Sequence, residues 1–223
     1  KMSVFPFLNG WPKPERVTLE GKYCRLEPIQ LSHSDRLYEL VTIPSAEERY
    51  RYISNLPPKS REEHEAWIRK EVTSEEFITF VIVNKRTGEI EGRQSLMRIF
   101  PEHGSVEIGY VCWGLGMSRT RIATEALFLF ASYVFDTLKY RRFEWKCDNA
   151  NEPSKHAALR FGFQAEGLFR QHMIIKGVNR DTAWFAMLDF EWQKVKDSFV
   201  SWLDESNFDE EGNQIHPLTY FRT

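Results

Sequence analysis

Cysteine is scarce in this chain: there are three in 223 residues. Cys24, Cys112 and Cys147 are odd in number, far apart and set in apolar, strand-like stretches. Neither a disulfide framework nor a zinc spacing is expected, and the thiols fit a reducing cytoplasm. The histidines, His33, His64, His103, His156, His172 and His216, show no H-E-x-x-H or paired spacing, so no metal site is predicted. Charge of one sign is not in excess either, with 30 basic against 32 acidic residues and a net charge of −2. No global field therefore favours nucleic acid or an anionic membrane as partner. Apolar runs such as 126–131 are far too short to span a bilayer. No basic segment followed by an apolar one opens the chain, and Lys1 before Met2 reads as an addition ahead of a natural start, so export is not expected. What remains, 42% hydrophobic and 28% charged, is ordinary for a globular protein. With no repeat and no linker, one domain with short terminal extensions is expected.

The chain is organised around residues 106–135. Val106 to Trp113 is rich in β-branched and aromatic residues, as a buried strand should be. Alternation puts Glu107, Gly109, Val111 and Trp113 on one face, with Ile108, Tyr110 and Cys112 on the other. After the turn Gly114-Leu115-Gly116-Met117, Ser118 or Thr120 can cap a helix whose Leu127, Phe130, Ala131, Val134 and Leu138 fall at helical spacing. A strand, a tight turn and a helix opening Ser-Arg-Thr-Arg suit an anion. The first-turn amides lack partners, the helix dipole is positive there, and Arg119 and Arg121 add donors. An ordinary βα connection with two solvated arginines is the plainer alternative.

In chain order, Lys1 to Arg16 carries three prolines and reads as an extended arm, pinned by Phe5, Phe7 and Trp11. A strand over Tyr23–Ile29 precedes a helix opened by Ser32 or Ser34 and ended before Pro44. Glu47 to Tyr52 is charged and aromatic. Ser60 with Glu63 makes a capping box for a helix through Trp67, Ile68 and Val72. Phe77–Val83 and Ile90–Ile99 form a hairpin across Lys85–Gly88. Beyond the central helix come a strand Arg142–Cys147 and a short helix Ser154–Phe161 ended by Gly162. A long hairpin, Gly167–Ile175 with Arg180–Leu188, then leads to a helix Phe190–Leu203. The acidic tail Asp204–Thr223 reads as loosely held.

This order of elements, with two motifs, resembles the GCN5-related N-acetyltransferase (GNAT) superfamily, in its ribosomal-protein-alanine-acetyltransferase-like branch, over roughly Gly21 to Phe190. The family's pyrophosphate turn, Gln/Arg-x-x-Gly-x-Gly/Ala, is met by Ser118-Arg119-Thr120-Arg121-Ile122-Ala123. Ala123 matches, whereas Ser118 and Arg121 depart. The family's Asn-x-x-Ser segment before a helix ending Gly-Phe is met by Asn151-Glu152-Pro153-Ser154 and Gly162-Phe163. The resemblance implies an α/β (α+β) fold with a twisted, mostly antiparallel sheet of about seven strands flanked by helices, and acetyl-CoA held between splayed strands 4 and 5. It also implies an arm over 1–20, an acetyltransferase domain over 21–190, and a C-terminal helix and tail over 191–223.

The activity implied is acetyl transfer from acetyl-CoA to a primary amine of a small molecule or a protein N-terminus by direct attack, in a monomer or homodimer. The backbones of Val111 and Trp113 would pair with the pantetheine chain, and the Val111 amide would polarise the acetyl carbonyl. Ser118 to Ala123 would cradle the pyrophosphate, with Asn151 and Lys155 as further cofactor contacts. Glu107 is the expected general base, its alternative being a structural carboxylate paired with Arg93 or Arg98. Many relatives protonate the leaving thiolate with a tyrosine at the position held here by Ala158, so Ser154 is the expected donor, its alternative being helix capping. The rival reading is a non-catalytic CoA-binding or interaction module, motivated by Ser118, Arg121 and Ala158.

Overall fold

The computed structural model describes residues 10–43, 48, 50–117 and 120–222. The strands are β1 (Leu19–Glu20), β2 (Cys24–Pro28), β3 (Phe77–Asn84), β4 (Ile90–Phe100), β5 (Ser105–Trp113), β6 (Arg142–Asp148), β7 (Gln164–Ile175) and β8 (Val178–Leu188). They form one sheet in the order β1-β2-β3-β4-β5-β6-β8-β7. All neighbours are antiparallel except β5 and β6. The helices are α1 (Ser34–Val41), α2 (Arg61–Thr73), α3 (Arg121–Ser132), α4 (Glu152–Phe161) and α5 (Asp189–Leu203).

Alternation in β3 explains why the sheet is covered on both faces. Ile78, Phe80 and Ile82 join the larger core with Leu127, Phe130 and Val134, whereas Val81 and Val83 pack with Leu37 of α1 and Ile68 of α2. The predicted central helix therefore lies on one face and α1 and α2 on the other. It ends in a widened turn, Tyr133–Thr137, in which the Leu138 amide reaches the Tyr133 carbonyl.

The local signals resolve as chemistry demands. Thr120 caps α3, and Ser60 caps α2 by accepting from the Glu63 amide at 3.2 Å. The Glu63 carboxylate accepts from Lys59 rather than Ser60, one residue away from the expected reciprocal box. Gly162 ends α4 at φ 101°, a left-handed angle that favours glycine.

The expected twisted, mostly antiparallel sheet is present with eight strands, because Leu19–Glu20 pairs with β2 and shifts the numbering, so the splayed strands are β5 and β6. Two expectations need correction. The tail is not loosely held. Leu218 is fully buried, Asn207 bonds the carbonyls of Trp202 and His216, and Arg222 donates to those of Leu159 and Arg160. Composition concealed this, because Leu218, Phe208 and Phe221 and a few polar side chains fasten an otherwise acidic segment. The second correction, the face of Glu107, concerns the site. In the arm, Trp11 is buried and its indole donates to the Lys139 carbonyl at 2.7 Å, while Phe5 and Phe7 lie outside the described residues.

Candidate active site

The parallel pairing of β5 with β6 runs only from Ser105↔Arg142 to Ile108↔Trp145. Beyond it, β5 continues against β4 and β6 against β8, so the two strands part and open a wedge. On the wedge side, residues 109–113 of β5 have no strand partner among the described residues. At the same place β5 bulges. Arg93 faces Cys112 and Ser95 faces Gly109, leaving Tyr110 and Val111 opposite Gln94 alone. Tyr110 takes φ 48°, and Arg93 Nη1 donates to its carbonyl at 2.9 Å. A Cβ on Gly109 would overlap the Met97 sulfur, so glycine permits the close approach.

The bulge shifts the side-chain phase. Val106 and Ile108 lie in the core beneath α3, and past the bulge Val111 and Trp113 return to that core. Glu107 alternates with Val106 and Ile108 and faces the other side. The expectation that Glu107 shares a face with Val111 and Trp113 is therefore corrected, since simple alternation does not survive an extra residue.

Glu107 is 3% exposed. Both its oxygens accept from Arg98 Nη1, at 2.8 and 2.7 Å, and Lys146 Nζ lies 2.8 Å from Oε2. Lys146 also pairs with Glu144 at 2.6 Å and sits 3.9 Å from the Trp184 ring centroid. Arg142 continues the chain of charges to Glu144 and Glu166. Burial would raise the Glu144 carboxyl, but hydrogen bonds from Lys146 and Arg142 outweigh it and hold it below the usual carboxylate range.

Two helix starts meet the wedge region. Ser118 and Arg119 lie outside the described residues. The Thr120 hydroxyl donates to the Met117 carbonyl at 2.7 Å and accepts from the Ala123 amide at 3.4 Å. Arg121 and Ile122 open the first turn, where no carbonyl within the helix can serve their amides. The Arg121 guanidinium lies 4.0 Å from the ring of Phe208 and 5.2 Å from that of Tyr23, so the tail engages it. At α4, the Asn151 side chain accepts from the Ser154 amide at 3.2 Å, and the Ser154 hydroxyl accepts from the Trp145 indole at 3.0 Å. Burial pushes the Cys147 thiol up, and a hydrogen bond with Ser154 opposes this. Lys155 pairs with Glu152 at 2.6 Å, and Ala158 is fully buried.

The family model for the acetyltransferase (GNAT) domain matches residues 24–164, more than half of the chain. The chain belongs to the GNAT acetyltransferases. A GCN5-related N-acetyltransferase from Brucella melitensis of known structure is 48% identical, with TM-score 0.93 over 96% of this chain and 97% of that one. A relative described as an uncharacterized N-acetyltransferase, p20 of Bacillus licheniformis, is 34% identical over 117 residues, 51% of this chain. That match spans 63% of p20, so the chain covers less than two thirds of this curated relative. A structure described as a putative ribosomal-protein-serine acetyltransferase from Vibrio cholerae has TM-score 0.66 at 19% identity, covering 77% and 97% of the chains, a likeness of fold alone.

Of the residues expected at the site, Val111 and Trp113 lie on β5, Ile122 and Ala123 in the first turn of α3, and Ser154 in the first turn of α4, which Asn151 caps. Sequence reasoning missed Lys146 and named Arg93 only as an alternative partner of Glu107, a place that Arg98 takes while Arg93 bonds the Tyr110 carbonyl. The first was legible, because Arg142, Glu144, Lys146 and Asp148 alternate with Phe143, Trp145 and Cys147 along β6. The second was not, because Arg93 becomes buried only through α2 and the segment before it. Helix α5 and the described part of the chain include no span long and apolar enough to cross a membrane.

Proposed function

We propose that this protein transfers an acetyl group from acetyl-CoA to a primary amine by direct attack, with both substrates bound at the β5–β6 wedge. The reading is carried by the parting of the parallel pair at Ile108 and Trp145 beside the Tyr110 bulge, which leaves the β5 edge open to a strand-like chain. Acetyl-CoA, when bound, supplies the acetyl thioester. The backbones of Val111 and Trp113 would pair with its pantetheine arm, and the Val111 amide would donate to the acetyl carbonyl oxygen, where negative charge develops. The first turn of α3, with Ser118, Arg119, Thr120, Arg121, Ile122 and Ala123, would hold the pyrophosphate, chiefly through backbone amides. In this reading Arg121 contributes its amide, since Phe208 and Tyr23 engage its guanidinium. Asn151 orders the α4 start, and Lys155 can exchange Glu152 for a phosphate.

Glu107 accepts the amine proton, directly or through water; this requires its contact with the half-exposed Arg98 to open as the acceptor arrives. The Ser154 hydroxyl, which accepts from Trp145, has its own proton to donate toward the leaving sulfur. The acetyltransferase unit spans 21–190, with the arm and the C-terminal helix as extensions. The three free thiols support a cytoplasmic setting. The near-neutral charge supports a small-molecule or protein-terminal acceptor rather than nucleic acid or a membrane, for a monomer or homodimer.

The test is calorimetric titration with acetyl-CoA followed by thiol release across a panel of primary amines. Saturable binding and amine-dependent release are expected. Absence of binding at millimolar acetyl-CoA would favour a non-catalytic module.

A further inference from the structure

On the face of the sheet that carries Glu107, a 270 Å³ cavity lies between α2, the segment before it and β4. Its lining includes Tyr50, Asn55, Glu63, His64, Trp67 and Arg93. Arg93 is 3% exposed. Among the described residues its hydrogen bond is the one from Nη1 to the Tyr110 carbonyl, its Nε has no acceptor, and no carboxylate lies within 4.0 Å. The Trp67 ring, 4.6 Å away, is the other group that eases its charge. His64 is 4% exposed, and its Nδ1 also has no partner. Burial, with Arg93 beside it, lowers its pKa to about 4, so it stands neutral. Glu63 is held by the Lys59 amide at the exposed start of α2.

A buried guanidinium with no counter-ion among the described residues is costly unless something arrives to pair with it. Arg93 lines the cavity, and a guanidinium suits a planar carboxylate in two parallel hydrogen bonds. Its Nη1 already holds the carbonyl of Tyr110, the bulge residue before Val111, which places the cavity next to the transfer site. The aromatic walls from Trp67 and Tyr50 fit a compact organic body.

We propose that this cavity is the acceptor subsite and that Arg93 selects amines bearing a carboxylate, so that the acceptor class is small amino-carboxylates. This rests on the acetyl-transfer reading of the wedge. Recognition involves no covalent step at Arg93, which positions the acceptor while its amine meets the β5 edge.

The experiment compares matched acceptors that differ only in the carboxylate, alanine with ethylamine and phenylalanine with 2-phenylethylamine, by thiol release from acetyl-CoA. In the unaltered protein the carboxylate member of at least one pair should lead by at least about tenfold in kcat/KM. Arg93→Met should erase that lead, and Arg93→Lys should keep part of it. Separately, N-acetylphenylalanine, which has no amine to react, is titrated calorimetrically without acetyl-CoA. Saturable binding lost in Arg93→Met is expected. Equal rates within both pairs, or a preference that survives Arg93→Met, would overturn the subsite while leaving acetyl transfer intact. If no amine releases thiol yet N-acetylphenylalanine binds through Arg93, the transfer reading fails and the carboxylate site stands. Should Arg93→Met not fold, the matched pairs in the unaltered protein still decide.

Discussion

Glu107 on β5 and Glu125 on α3 are equally removed from water, each 3% exposed, yet they are held in different ways. Glu125 accepts from the backbone amides of Lys22, Tyr23 and Cys24 at 2.7, 2.7 and 2.6 Å. A Cβ on Gly21 would come within 2.6 Å of its carboxyl carbon, so the chain has closed around it. Glu107 is held by side chains, and one of them, Arg98, is 41% exposed. Backbone amides cannot leave without unfolding β2, whereas a half-exposed arginine can swing into water. The first carboxylate fastens the central helix to the sheet; the second is held by side chains, one of which can move away.

The crossed pair of variants breaks this comparison most sharply. Glu107→Gln should lower the rate of acetyl transfer by about 10²–10⁴-fold, with a stability loss of only about 1–2 kcal/mol, since Lys146 keeps Glu144 and Arg98 keeps water. Glu125→Ala should do the reverse. Three amides, that of Cys24 buried, lose their acceptor, which costs about 2–4 kcal/mol, while turnover of the folded fraction stays close to normal. Stopped-flow thiol release and urea denaturation read the two effects. A Glu107→Gln protein of normal rate would make Glu107 a structural carboxylate like Glu125.

A third buried group, His64, has neither kind of support. Its pKa falls from 6.5 to about 4 on folding, because burial and then Arg93 oppose its charge. Between those values the unfolded chain binds the proton that the folded one refuses, so stability falls as pH drops from about 6.5 towards 4, by up to about 3 kcal/mol. His64→Leu should lose that component, which denaturant midpoints at pH 7 and pH 4.5 would show as a smaller acid-induced drop than in the unaltered protein. The smallest effect is expected at Arg121. Because Phe208 and Tyr23 engage its guanidinium, Arg121→Ala should weaken acetyl-CoA binding by no more than a few-fold, consistent with ~1 kcal/mol or less for such stacking. A larger loss would place the side chain on the cofactor.

The elements of the fold were largely legible, because strand alternation, the Ser60 and Thr120 caps and the Gly162 stop are local signals. The two motifs supplied what local signals lack, the order in which the strands meet. The backbone positions proposed for the site, Val111, Asn151 and Ser154, could be named from sequence because they lie at motif positions. The contacts of its charged side chains could not. Glu107 changes face relative to Val111 because a bulge at Tyr110 inserts one residue, and nothing in the local pattern demands φ 48° there. Arg121 looked like an anion donor because Phe208 lies 87 positions away in a tail whose acidic composition hid its anchoring. Arg93 sits on a strand face that becomes enclosed only when α2 packs over it.

The most direct test of the wedge is hydrogen–deuterium exchange of the protein with and without saturating acetyl-CoA. The account predicts slowed exchange at the Val111 and Trp113 amides and in the first turn of α3, with the amides bound to Glu125 unchanged. Protection that spares residues 109–113 while appearing elsewhere would contradict it.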